Sequence, residues 1–437
     1  MTWAFALTFL NGVVFGYEES WLQPSPFRGF KNAIYYTNWF VWVLKSWGAS
    51  NYSVEQLPFS DLTHVLYAFA DIGANGTVLS SNTAVDIEQR YPWEVEREVV
   101  GHNAHGAVKQ LYLHKKRNRN LKTLISIGGW DYSPKFAPVA ATEMGRQTFA
   151  RSAVKLVTDW GFDGIDIDWE FPATDEDRAN FVKLLEACRK AFDNYSRREQ
   201  LRYRFLITVA SPATALNLEH MDLAFMDEFV DTWHLMAYDY AGNWSTTSSH
   251  QANLFANKNL TQVSTHDALE RYYQGSGSGN SSGAGIAGHK IVMGLPLYGR
   301  AFEGTAGLGQ GFSGVGAGGA GPGVWYYRDL PRAGAREAYD EVAQAAYSYD
   351  SAARELVSYD NARSAAAKAR YVAGRRLGGA FFWEARGDKT KRSGGGGGES
   401  LVATVSRELG WLDETPNNLR YPTSRYDNIR FGLPWES

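Results

Sequence analysis

The chain has 437 residues, enough for one large α/β domain with an insertion or for two domains. Its 44 Lys and Arg nearly balance 47 Asp and Glu, with no basic stripe or acidic tail, which argues against nucleic acid or a membrane surface as the main partner. The single cysteine, Cys188, excludes an intramolecular disulfide and a thiolate metal cluster, and it falls inside the helical pattern NFVKLLEACRKAF, where it reads as a packing residue.

The first segment, MTWAFALTFLNGVVFG (1–16), has the length of a signal-peptide core and is too short to span a bilayer. No Lys or Arg precedes it, and an N-terminal segment packed on the domain is the alternative. Sequons at Asn51, Asn75, Asn194, Asn243, Asn259 and Asn280 are compatible with secretion. An extracellular location is therefore expected, with an intracellular or wall-associated one as the alternative.

Apolar runs then alternate with helical patterns. KNAIYYTNW, THVLYAFAD and LKTLISIGGW read as three buried strands, the last closed by Gly128 and Gly129. Phe149, Ala153, Leu156, Val157 and Trp160 recur at helical spacing, and Gly161 stops that helix as a C-terminal cap should.

DGIDIDWE (163–170) follows at once, and a further helix is predicted from about Asp175 to Asp193. RFLITVASPA, DTWHLMAYDY, KIVMGLPLYGR and LGGAFFWEARGD complete a set of eight strands. Parallel strands covered by helices predict a (β/α)8 TIM barrel over 30–302 and 361–415. Polar and aromatic residues collect at the strands' C-terminal ends, where such a barrel builds its active site.

Between the last two strands, 303–360 is too long for one helix. WYYRDLP, AYSYD and ELVSYD read there as short antiparallel strands of a small α+β insertion domain. Residues 416–437 are expected to form a tail packed on the barrel. GSGSGNSSGAG (275–285) and KRSGGGGGES (391–400) are low-complexity loops with no assigned role.

In DGIDIDWE the acidic residues Asp166, Asp168 and Glu170 alternate with Ile165, Ile167 and Trp169. A period of two puts the carboxylates on one face of a strand and the apolar side chains on the other. Carboxylates spaced about 6–7 Å apart along a buried strand cannot all ionise cheaply. The cluster therefore shares protons, and a carboxyl still protonated near neutrality can serve as a general acid. The alternation is wrong for an EF-hand, whose sixth position must be Gly; counted from Asp163, that position is Asp168.

With the acidic run as the fourth barrel strand, the chain resembles a chitinase of glycoside hydrolase family 18, of the fungal type with an α+β insertion. DGIDIDWE fits the family's DxxDxDxE signature and SIGG (126–129) its SxGG motif; MAYD (236–239), PLYGR (296–300), GGAFFWE (378–384) and the C-terminal SRYDNIR also match. The resemblance covers about 30–435. It implies hydrolysis of β-1,4-linked N-acetylglucosamine polymers, chitin or chitooligosaccharides, with retention of anomeric configuration and no cofactor or metal. It names Glu170 as the acid, and the substrate's own N-acetyl oxygen as the nucleophile that forms an oxazolinium ion.

By the same resemblance Asp168 orients the acetamido N–H, Asp166 shares a proton with Asp168, and Tyr238 donates to the acetamido oxygen. Trp383 floors the pocket, Met236, Asp239 and Arg300 line its sides, Gly129 of the SxGG motif contributes to substrate binding, and Trp130 beside it stacks on the leaving-group sugar. Trp39 and Phe69 line the site nearer the first two strands, and Asp163 supports the strand. Phe171 stands where the family usually has Tyr, and the loop FVWVLKSWGASNYSVEQLP after Trp39 is longer and more apolar than the family pattern. The 15 Trp suit a groove that stacks on sugar rings. Two alternatives share the fold: a chitin-binding lectin, which would typically have lost the acid, and an endo-β-N-acetylglucosaminidase acting on N-glycans, which would usually lack the insertion. A monomer is expected.

Overall fold

The computed structural model describes residues 28–39, 52–91, 101–258, 260–261, 263–274, 285–389 and 399–432. The leader 1–16, most of the loop after Trp39, the sequons at Asn51, Asn259 and Asn280, and nearly all of 275–285 and 391–400 lie outside the described residues.

The barrel starts with β1 (Lys31–Thr37) and β2 (His64–Ile72), onto which a short β3 (Val78–Ser80) pairs antiparallel. It continues through β4 (Lys122–Gly128), β5 (Gly164–Asp168), β6 (Leu206–Pro212), β7 (Thr232–Met236) and β8 (Ile291–Pro296). A second, antiparallel sheet follows, made of β9 (Tyr298–Phe302), β10 (Val324–Tyr326), β11 (Arg336–Asp340), β12 (Ala345–Asp350) and β13 (Glu355–Tyr359). The chain then returns with β14 (Gly379–Trp383), which inserts in parallel between β8 and β1, and the pairing of β1 with β2 closes an eight-stranded parallel barrel.

The predicted seventh strand, KIVMGLPLYGR, divides in two. Its first half is β8 in the barrel and its second half is β9 in the antiparallel sheet. Pro296 ends the parallel ladder because it has no N–H to donate. One residue on, the Leu297 N–H still reaches the Trp383 carbonyl, while the Leu297 carbonyl accepts from Tyr327 on the other side. The split matters for the site, since it is β9 that carries Arg300.

The alternation in DGIDIDWE is realised in three dimensions. Ile165, Ile167 and Trp169 are buried in the layer between barrel and helices, where Trp169 stacks on Phe136 (5.3 Å, 11°) and meets Phe181 at 5.1 Å. The helix before it, Glu143–Trp160, is capped at its start by Thr142, which accepts from the Gly145 N–H, and at its end by Gly161 in the left-handed region (φ 70°). The helix after it runs Asp175–Arg198, five residues beyond the predicted Asp193, because buried Tyr195 extends its apolar face.

Asp163 sits at the opposite end of β5 from the acidic cluster and is fully buried. It pairs with Lys115 at 2.8 Å and accepts from the Tyr203 hydroxyl and from the Thr123 and Asn418 N–H groups. Burial, partly offset by Asp163, lowers Lys115 to about 8. Residues 417–430 are tied on by the same region: the Asn417 amide donates to the carbonyls of Lys115, Asn118 and Leu121, and Arg425 pairs with Asp159. SRYDNIR continues that tail along the outside of the helices, where the Asn428 side-chain amide donates to the Ala104 carbonyl and accepts from the Ala104 N–H.

Candidate active site

Asp166 points into the barrel and is fully buried. Four strands aim a partner at it: Tyr35 on β1 (Oη–Oδ2 2.9 Å), Ser126 on β4 (Oγ–Oδ2 2.7 Å), Thr208 on β6 (Oγ1–Oδ1 2.6 Å) and His234 on β7 (Nδ1–Oδ1 3.1 Å). Burying a lone carboxylate costs several kcal/mol. Each hydrogen bond to a charged group returns roughly 1.5–3 kcal/mol, so four suffice to keep the charge. Accordingly burial raises the Asp166 pKa, the contacts with His234, Thr208 and Ser126 lower it, and the net direction is down.

Two residues on, Asp168 has the opposite balance. Burial, then Glu170, then Asp166, push its pKa well above the usual carboxylate range. Its Oδ1 is buried and has no hydrogen-bond partner among the described residues. Glu170 follows where β5 ends. Burial and then Asp239 raise it to about 7. Its backbone is pinned by Ser133, whose Oγ accepts from the Glu170 N–H (2.7 Å) and donates to the Asp168 carbonyl (3.3 Å).

Above these carboxyls opens a cavity of about 830 Å³ lined by Asp168, Glu170, Tyr238, Asp239, Arg300 and Trp383, among others. One wall is a stair of rings: Trp39 stacks on Phe69 (5.7 Å, 20°), Phe69 on Trp383 (5.8 Å, 24°), and Tyr35 meets Trp383 edge-on at 5.2 Å. Opposite, Asp239 takes the Arg300 guanidinium in a fork (2.8 and 2.7 Å) and the Tyr298 hydroxyl at 2.5 Å. Arg300 in turn lies over the Trp244 ring at 4.8 Å. Burial, then Tyr298 and Asp168, hold Tyr238 well above the ordinary phenol range, so it remains a hydrogen-bond donor. A second cavity, of about 650 Å³, is lined by Phe30, Tyr273 and Arg375 with no carboxyl group in its wall.

A paired acid set at the C-terminal mouth of a closed parallel barrel, facing a ring-lined groove, suits glycan chemistry. Residues 31–388 match the family model "Glycosyl hydrolases family 18". The chain belongs to glycoside hydrolase family 18. It is similar to Endochitinase 1 of Metarhizium robertsii, 44% identical over 405 residues, which are 92% of this chain and 90% of the relative. Chitinase 1 of Aphanocladium album is 42% identical over 408 residues, covering 93% and 91%. Among solved structures, chitinase ChiA74 from Bacillus thuringiensis superimposes with a TM-score of 0.77 at 27% identity, covering 90% of this chain and 71% of that one.

Within this family 18 barrel, most residues singled out from the sequence come together. Asp168, Glu170, Tyr238, Met236, Asp239, Arg300, Trp130, Phe69, Trp39 and Trp383 all line the cavity, Trp130 with 71% of its surface exposed at the rim. Two do not. Asp166 lies beneath the cavity floor, and Gly129 stands behind the wall. There its N–H donates to the Asp168 carbonyl (2.9 Å), and a Cβ would come within 2.4 Å of the Phe69 ring. Phe171 lines the cavity and brings no hydroxyl to it.

Sequence reasoning missed several neighbours. Tyr298 lay inside what read as a barrel strand, and Trp244 sits five residues after Asp239 in a loop with no periodicity. Thr208 and His234 were unremarkable strand residues whose only signal was polarity on an inward-facing position. Among the described residues no group of three or more His, Cys, Asp or Glu is placed to hold a metal ion.

Proposed function

We propose that the protein is a chitinase that cleaves β-1,4 bonds between N-acetylglucosamine units with retention, using the substrate's own acetamido group as nucleophile. The observation that carries this reading is Asp168 Oδ1, buried at the foot of the cavity without a partner among the described residues. A buried acceptor left open is costly unless something binds there, and an acetamido N–H satisfies it. Asp168 itself suits orientation better than attack, because burial and its acidic neighbours hold the proton on it.

Glu170, protonated up to about 7, gives its proton to the glycosidic oxygen. The acetamido oxygen closes on C1, with Tyr238 donating to it and Asp168 turning anionic as positive charge develops on the oxazolinium. Asp166 takes up the proton that Asp168 releases. Trp383 forms the floor, Phe69 and Trp39 extend it, and Asp239, Arg300 and Met236 form the side; Trp130 stacks on the leaving sugar. Water then opens the oxazolinium with the Glu170 carboxylate as base.

Two outcomes test the scheme. Fully deacetylated glucosamine oligomers lack the nucleophile, so they should be cleaved at least about a hundredfold more slowly than their acetylated counterparts; equal rates would end the substrate-assisted reading. The kcat/KM profile should lose activity as pH rises through about 7, because Glu170 must be protonated to act. Secretion fits the apolar segment 1–16 and the exposed sequons Asn75, Asn194 and Asn243. Among the described residues no helix is long and apolar enough to cross a membrane.

A further inference from the structure

Asp166 is held by three hydroxyls and one imidazole, and the imidazole has no part in the scheme above. His234 stands on β7 with 2% of its surface exposed, Nδ1 3.1 Å from Asp166 Oδ1. An ionised carboxylate only accepts, so Nδ1 carries the hydrogen in that contact. Around the ring, β1 contributes Tyr35 edge-on at 6.3 Å and β14 contributes Phe381 at 5.2 Å, while the register neighbours on β6 and β8 are the uncharged Ala210 and Val292. From β2, His64 feels the ring through space. Burial, then Lys122, Lys31 and His234, keep His64 well below the imidazole range, hence neutral. Asp166 is the carboxylate that His234 touches.

We propose that His234 is a positioning residue whose Nδ1–H keeps Asp166 ionised and aimed, so that Asp166 can receive the proton leaving Asp168. This rests on the substrate-assisted reading. In the step, the O–H bond of Asp168 breaks and an O–H bond forms on Asp166. The negative charge passes to Asp168, where the oxazolinium develops, and no other reactant is needed. A doubly protonated pair has no acceptor and cannot make the transfer. Tyr35, Ser126 and Thr208 donate through hydroxyls that can turn to other acceptors, whereas the ring, set between Tyr35 and Phe381, keeps its Nδ1–H on Asp166. His234 therefore moves the first ionisation of the Asp166–Asp168 pair to lower pH, and that ionisation is the acid limb of kcat/KM.

The experiment compares kcat/KM against pH on tetra-N-acetylchitotetraose for the wild type, His234→Gln, which keeps an N–H donor, and His234→Leu, which has none. Melting temperatures are measured alongside. His234→Leu should raise the acid limb by about one pH unit. Its kcat at mid-profile should fall about tenfold with KM within about twofold of wild type. His234→Gln should lie closer to wild type on each count. A folded His234→Leu with an unmoved acid limb overturns the proposal. Should that variant not fold, the ¹⁵N spectrum of the wild-type imidazoles decides: the proposal requires the His234 Nδ1 to carry hydrogen throughout the active pH range, and a bare Nδ1 overturns it. A wild type inactive on the tetramer would sink the chitinase reading alone, since the imidazole spectrum still tests the Asp166 contact.

Discussion

Glu170→Gln should remove about 10²–10⁴-fold of kcat, the amount that a positioned proton donor supplies, and leave the affinity for chitooligosaccharides close to wild type. Gln has the size of Glu and no proton to give. The backbone that aims it is held independently by Ser133, and the walls that would grip sugar, from Trp39 to Trp383 and from Asp239 to Arg300, do not depend on it. Single-turnover rates on a tetramer, paired with calorimetric titration of the same ligand, read the two quantities apart. Loss of binding together with rate would make Glu170 a substrate anchor, and a variant that still turns over near wild-type speed would remove it from the chemistry.

Asp168→Asn separates activity from stability. The amide cannot become an anion beside the oxazolinium, so kcat should drop about 10²–10³-fold, as when a group aimed at developing charge is removed. Stability should move the other way. The folded-state pKa of Asp168 is raised, so the folded state binds more protons than the unfolded chain, and wild-type stability is lost as pH rises through the unfolded carboxylate range toward that raised value. Asn carries no such penalty. Thermal melts at neutral pH should therefore find the variant at least as stable as wild type, with the gap narrowing as pH falls. A variant both inactive and markedly less stable would mean that Asp168 supports the fold instead of the reaction.

The parts legible in the sequence were those that a single strand or loop encodes by itself. The period of two in DGIDIDWE separates Asp166, Asp168 and Glu170 from Ile165, Ile167 and Trp169, and the barrel keeps that separation. Motif positions at strand ends put Tyr238, Asp239 and Trp383 at one mouth because parallel strands in a barrel all end on the same side, whereas Arg300 arrives from β9 of the second sheet. What a linear pattern cannot convey is which side chains meet across the closed barrel. Thr208 and His234 reach Asp166 from 42 and 68 residues away, and only the stagger of neighbouring strands brings them level with it. Pro296 is a similar case: its missing N–H was visible in the sequence, yet the turn into a second sheet depends on the partners waiting on both sides of Leu297. The SxGG motif marks Gly129 as substrate-binding, whereas the closeness of Phe69 makes it a spacer behind the wall.

The most direct measurement is NMR of the first product released from a chitin oligosaccharide, recorded before mutarotation mixes the anomers. Retention through the acetamido group predicts the β-anomer, with Glu170 as the acid and Asp168 as the partner of the N–H. An α-anomer as first product would require water to attack directly from the opposite face, and the roles given to Asp168 and to the substrate's acetamido group would then be wrong.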